Sequence, residues 1–234
     1  MSNIAENLKE IHGKISEACK KCGRDVSEVT LIDVSKTKPM EMVMEAYAAG
    51  ERNFGENYVQ ELVAKEEEGP KDIVWHMIGP LQKNKVKKAV KAASIIHSAH
   101  SVEIAECINK EAEKLDKVQD ILIEINVGDE ESKHGIALCE AEQVTLELSK
   151  LKNINIRGYM CIPPISYEEG SNRKYFKALN ELKEKMNREH GDVVKMDMLS
   201  MGMSADFEDA ILEGATHVRV GTAIFGARDY SKKN

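Results

Sequence analysis

An α/β fold, a single (β/α)8 barrel of the TIM type with an extra N-terminal helix, is what this sequence predicts, on three observations. Apolar runs of strand length alternate strictly with helical patterns, the strands read as apolar on both faces, and eight such strands fit into 234 residues. Strands covered by helices on both faces form parallel sheets, and eight such units close into a barrel of about this length. An open doubly wound sheet is the alternative, but the phosphate-binding patterns G-x-G-x-x-G and G-x-x-x-x-G-K-[ST] are both absent.

The elements follow in order. Ile4, Leu8, Ile11, Ile15 and Ala18 recur at helical spacing, which predicts a helix over 3–22 with Gly23 as its stop. "EVTLIDVSK" is the first strand, and Pro39 opens a helix that runs to Gly50. "RNFGEN" and "YVQELVAKEEE" give the second strand and its helix, and "DIVWHMIG" and "NKVKKAVKAA" the third pair. "SIIHSAH" precedes the helix "SVEIAECINKEAEKL", and "QDILIEINVG" precedes "CEAEQVTLELSKL". "INIRGYMCI" is the sixth strand, followed by the rim loop "PPISYEEGSN" and the helix "NRKYFKALNELKEKMNREH". "VKMDMLSMGM", the helix "SADFEDAILEG" and an eighth strand, "HVRVGTAIFG", complete the series. One domain spanning 1–234 is expected.

Composition excludes several classes. The formal charge of −7 argues against general nucleic-acid or anionic-membrane binding. The start "MSNIAENLKEIHGK" carries no apolar stretch of signal-peptide type, and no apolar run reaches the roughly 20 residues of a membrane helix. Five cysteines at scattered positions suit reduced thiols and a cytoplasmic protein. Cys19-x-x-Cys22 is half a zinc pattern with no second half. "KNKVKKAVK" is a solvated helix flank or, alternatively, a contact for a polyanion.

In such barrels the site lies at the C-terminal ends of the strands. The tip of the first strand carries Lys36, either a solvated strand end or an amine at the mouth of a pocket. An ordinary lysine is almost entirely protonated at neutral pH, so a nucleophilic role needs desolvation or neighbouring cations, and Lys38 is close in sequence. The last two strands end in "LSMGMS" and "VRVGTAIFG", which offer Gly202, Gly221, Ser200, Ser204 and Thr222 where these barrels commonly hold phosphate, although Ser204 also suits a helix cap. Arg219 interrupts an apolar strand and needs a partner in the core or in a ligand, as does Arg157, for which a surface ion pair is the plain alternative. His76 and His97 read as packed strand residues.

Eight segments in order, "VSKTKP", "FGENYVQE", "WHMIGPLQKNK", "HSAHSVEIA", "IEINVGDEESKHG", "IRGYMCIPP", "LSMGMSADFEDAI" and "VRVGTAIFGARDY", resemble the pyridoxal phosphate homeostasis proteins (the YggS/PROSC family), relatives of the barrel domain of bacterial alanine racemases. The resemblance runs from about residue 4 to residue 230. It implies pyridoxal 5′-phosphate as cofactor, held by Lys36 as a Schiff base. It implies that Ser200, Gly221 and Thr222 hold the phosphate and that Arg219 faces the pyridine nitrogen, with Asn57, His76 and Met201 lining the pocket. Asp33, inside the first strand, departs from the apolar or small residue expected there.

The function implied is a cofactor carrier or buffer contributing to vitamin B6 and amino-acid homeostasis, with little or no catalysis. An arginine at the pyridine nitrogen can only donate, which weakens the cofactor as an electron sink. Alanine racemases add a second domain with a tyrosine base; only nine residues follow Phe225, so that domain is expected to be lacking. The alternative is a single-domain amino-acid racemase using Tyr159 or Tyr58 as its second acid/base. Partners expected are pyridoxal phosphate and apoenzymes that require it, with no membrane, no nucleic acid and a monomeric state.

Overall fold

A computed structural model describes residues 3–130, 133–166, 168 and 170–227. Its strands form one parallel sheet in the order β4-β3-β2-β1-β9-β8-β7-β5, closed by pairing of β4 with β5. The strands are β1 (Thr30–Val34), β2 (Asn53–Glu56), β3 (Val74–Met77), β4 (Ile95–Ala99), β5 (Gln119–Asn126), β7 (Ile154–Cys161), β8 (Met198–Met203) and β9 (His217–Val220), with a two-residue strand β6 (Ile136–Ala137) beside the end of β5. The expected barrel is therefore the observed one.

Helix α1 (Ile4–Cys22) buries Ile4, Leu8, Ile11, Ile15 and Ala18 as its spacing predicts, with Asn3 capping its start. Gly23 ends it at φ 70°, and the amide of Gly23 donates to the last-turn carbonyls. The outer layer continues through α2 (Met40–Ala48), α3 (Val59–Glu68), α4 (Val86–Ala92), α5 (Val102–Glu113), α6 (Ala141–Leu148), α7 (Arg173–His190) and α8 (Phe207–Leu212). A three-residue 3-10 turn, Lys83–Lys85, precedes α4.

Two differences from expectation stand out. The eighth strand stops at Val220, and Thr222–Phe225 forms a helical turn, α9. Asp206, not Ser204, stands at the N-cap position of α8; its carboxylate accepts from the Met203 amide of the preceding turn at 2.7 Å rather than from the helix, and Ser204 is left to the barrel mouth. The rim loop 163–172 carries no helix or strand among its described residues; Tyr167 and Glu169 lie outside them.

Alternation along the strands sorts side chains into two cores. Leu31, Trp75, Met77, Leu199, Met201, Val218 and Val220 point outward into the layer shared with the helices. Ile95, Leu122, Met160 and Met198 form a small apolar cluster inside the barrel. Gly158 is required where β7 meets β8: its φ is 151°, and a Cβ there would sit 1.8 Å from the Met198 carbonyl oxygen. Arg157 beside it donates to Asp197 at 2.8 Å and to Asp120 at 2.7 Å, which resolves it as an ion pair rather than a ligand contact.

Candidate functional site

The C-terminal ends of the strands surround a cavity of about 530 Å³. Its apolar wall comes from Val34, Ile78, Ile125 and Ile162, and its polar groups include Lys36, Lys38, Asn57, Glu124, Lys133, His134, Ser204, Arg219 and Thr222. Four of these are lysine or arginine against one carboxylate, so the cavity favours an anionic ligand.

The segment carrying Lys36 is fixed from several sides. A turn closes as the Lys38 amide donates to the Ser35 carbonyl at 3.0 Å, with Thr37 at φ 62°. A left-handed conformation costs a threonine roughly 1–2 kcal/mol, so the surroundings must hold it. They do: the Thr37 amide donates to Glu61 at 2.7 Å, and the Ser35 hydroxyl donates to Glu56 at 2.6 Å. The Lys65 ammonium donates to the same Glu56 oxygen at 2.6 Å and to the Ser35 carbonyl at 2.8 Å. Lys38 donates to the carbonyls of Phe225, Gly226 and Ala227 at 2.9–3.0 Å, tying this turn to the end of α9 across the mouth.

Arg219 forms part of the cavity lining and is 4% exposed. Its guanidinium donates to the Ser200 hydroxyl at 2.7 Å and to the Cys161 carbonyl at 2.9 Å. Glu124, on β5, lines the same cavity; burial pushes its carboxyl up to about 7 against the opposing pull of Arg219. At the rim, Lys133 donates to the Pro163 carbonyl at 3.0 Å, and the rings of His100 and His134 lie 5.0 Å apart.

Of the residues singled out in the sequence, Lys36, Asn57, Arg219, Gly221 and Thr222 come together around the cavity, whereas His76, Ser200 and Met201 do not line it. Met201 points into the helix layer, because it neighbours the inward Ser200 on a strand of period two. Ser200 and His76 point inward but lie fully buried, in a hydrogen-bond chain through His97. The glycines serve packing: a Cβ on Gly202 would meet Ala210 at 2.6 Å, and one on Gly221 the Val34 carbonyl at 3.0 Å.

Glu124 was overlooked, although a carboxylate inside "DILIEIN" is the same signal that marks Arg219. Tyr159 is fully buried, its hydroxyl 3.0 Å from that of Thr145 on α6, and Tyr58 is exposed; among the described residues no tyrosine lines the cavity. Asp33 is fully buried with no hydrogen-bond partner on either oxygen, and burial, with Glu51 acting the same way, pushes its carboxyl well up.

A parallel eight-stranded barrel with a lysine at the tip of β1 and an arginine on β9 in a cationic mouth defines the class, that of alanine-racemase-type barrels. The chain matches the family described as alanine racemase, N-terminal domain, over residues 2–229. It is 41% identical to the pyridoxal phosphate homeostasis protein of Escherichia coli K12, over 100% of both chains. It is 44% identical to that of Aquifex aeolicus, over 97% of this chain and 100% of the relative. The structure of PipY from Synechococcus elongatus PCC7942 with PLP bound superposes with a TM-score of 0.82 at 34% identity, covering 95% of this chain and 100% of PipY. An alanine racemase of Clostridium difficile 630 shares the fold at 18% identity and a TM-score of 0.74, over 96% of this chain and 56% of the racemase. The chain belongs to the pyridoxal phosphate homeostasis proteins, within the alanine racemase N-terminal domain family.

Proposed function

We propose that the cavity binds pyridoxal 5′-phosphate and that the protein holds and buffers this cofactor in the cytoplasm, as part of vitamin B6 and amino-acid homeostasis, with little or no turnover of amino acids. One observation carries the reading: Lys36 and Arg219 line one cationic cavity of about 530 Å³, with Gly221 and Thr222 in the same wall. The donor set fits the cofactor part by part. Lys36 supplies an amine for its aldehyde as a Schiff base. Thr222, Ser204 and the Gly221–Thr222 backbone supply donors for its phosphate, and the apolar residues of the wall flank its ring. When bound, the cofactor supplies an electron sink for carbanion chemistry. Arg219 restrains that capacity, since a guanidinium only donates and leaves the ring nitrogen unprotonated. The absence of a cavity-lining tyrosine among the described residues supports a holding role over a racemase. The relatives' shared name and the PLP-bound PipY structure point the same way.

The test is the visible spectrum of purified protein with added pyridoxal phosphate, before and after borohydride, for wild type and Lys36→Ala. A yellow band that borohydride fixes onto Lys36, and that the variant lacks, is expected. A colourless wild type removes the cofactor; alanine racemisation at ordinary enzymatic rates removes the holding role.

A further inference from the structure

Beneath the cavity, inside the barrel, runs a chain of four hydrogen bonds that the ligand-contacting residues do not account for. Arg219 Nη1 donates to Ser200 Oγ at 2.7 Å, Ser200 Oγ meets His97 Nδ1 at 2.9 Å, and His97 Nε2 meets His76 Nδ1 at 2.9 Å. The last link joins His76 Nε2 to Asn53 Oδ1 at 3.2 Å, at the start of β2. Its members come from β9, β8, β4, β3 and β2, so only a closed barrel assembles it. His76, His97 and Ser200 are each 0–1% exposed, which leaves no bulk water to replace a lost partner.

The Asn53 end sets one direction on the chain. Asn53 Oδ1 only accepts, so His76 carries its proton on Nε2; a neutral His76 then accepts at Nδ1 from His97 Nε2–H, and His97 accepts at Nδ1 from the Ser200 hydroxyl. Arg219 only donates, so Ser200 accepts from it on one lone pair and keeps its own proton for His97. The Arg219 end is therefore compatible with the direction that Asn53 sets. Burial supports neutral rings, holding His76 down at about 3 and His97 well below the ordinary histidine range. With its proton given to His97, the Ser200 hydroxyl has none to donate to a phosphate, so here it serves Arg219 rather than the ligand.

We infer that His76, His97 and Ser200 are positioning residues that orient the Arg219 guanidinium, and through it set the affinity and electronic state of the ring bound above. The inference rests on the pyridoxal phosphate reading of the cavity. Among the described residues, Arg219 is anchored by the Ser200 hydroxyl and the Cys161 carbonyl. Loss of the Ser200 anchor frees one arm of the fork to turn, and the remaining donors then no longer face the ring at a fixed angle.

The experiment compares wild type, His97→Phe, His97→Gln and Ser200→Ala by pyridoxal phosphate titration, by the absorbance maximum of the bound form, and by melting without cofactor. Phenylalanine fills the site but cannot accept from Ser200, whereas glutamine can accept and donate. In His97→Phe and Ser200→Ala the dissociation constant is expected to rise by about tenfold or more, the size of one hydrogen bond to a charged group, with a shifted absorbance maximum. His97→Gln should stay within about threefold of wild type. Borohydride should still label Lys36 in all four. If His97→Phe and Ser200→Ala melt lower but bind with wild-type affinity and spectrum, the chain is only structural and the inference is overturned. Should His97→Phe fail to fold, Ser200→Ala, smaller by one oxygen, decides alone. A wild type that takes up no cofactor overturns the cavity reading itself, and is told apart because no variant is then needed.

Discussion

The Ser35 hydroxyl donates to the Glu56 carboxylate at 2.6 Å, one residue before Lys36. That contact joins the tip of β1 to the tip of β2, and Lys65 of α3 completes it with an ammonium 8% exposed beside a carboxylate that is 0% exposed. The amine proposed to hold the cofactor therefore stands on a buried ionic group rather than on a free loop. Burial pushes Glu56 up to about 7, with Lys65 and Ser35 pulling it back.

Removing one partner of a buried ion pair commonly costs about 3–5 kcal/mol. Lys65→Met should lose about 3 kcal/mol at pH 8, where Glu56 must either remain an unpaired buried charge or take up a proton against the pH. The loss should shrink below pH 6, where Glu56 takes up a proton, and Glu56→Gln in the same chain should recover part of it. Urea unfolding of the single and double variants at both pH values is the check; a loss independent of pH would refute the account.

Glu124 gives a second pH effect with a definite sign. Its folded pKa of about 7 lies above the ordinary glutamate value of 4.5, so between these values the folded state binds the proton that the unfolded state has released. Stability from this group is full below about pH 4.5 and falls as pH rises through 7. Glu124→Gln removes the decline: it should be more stable than wild type by about 2–3 kcal/mol at pH 8 and close to it at pH 4.5. Parallel unfolding curves across that range would sink the assignment.

The three inward histidines act in the opposite sense. Burial lowers His76 to about 3 and His217 to about 4, with His97 also well below its ordinary value. The unfolded chain gains these protons first as pH falls below 6.5, so their contribution is present above that pH and is lost toward 4 and below. Melting of Glu124→Gln from pH 7 to 4 exposes more of this limb, because one of the opposing carboxyls is gone; it should fall more steeply with acid than wild type.

Gly158→Ala should not give a folded protein, since the new Cβ would lie 1.8 Å from the Met198 carbonyl at a backbone φ of 151°. Circular dichroism of the purified variant decides; a native spectrum would show that β7 and β8 can separate. Arg157→Ala, by contrast, removes two ion pairs, to Asp120 and Asp197, whose arginine is 26% exposed, and should cost about 1 kcal/mol with no change in cofactor uptake.

Much of this was legible in the sequence for a local reason. Helix and strand periods place Ile4 to Ala18 on one helix face, and they make Lys36, just past the end of an apolar strand, and Arg219, within one, conspicuous. The same periodicity, applied residue by residue, turns Met201 outward and picks out Glu124. Other features depend on what lies across the barrel. The Glu56–Lys65–Ser35 group, the Lys38 contacts to the end of α9 and the chain from Asn53 to Arg219 join segments up to 189 residues apart, through strand register and closure. The sequence by itself determined the barrel, its order of elements and the cationic residues of its mouth, because those follow from patterns repeating within a few residues. Tertiary structure alone decided which buried polar groups meet and which way their protons point, because a hydrogen bond between distant strands exists only once the sheet has closed.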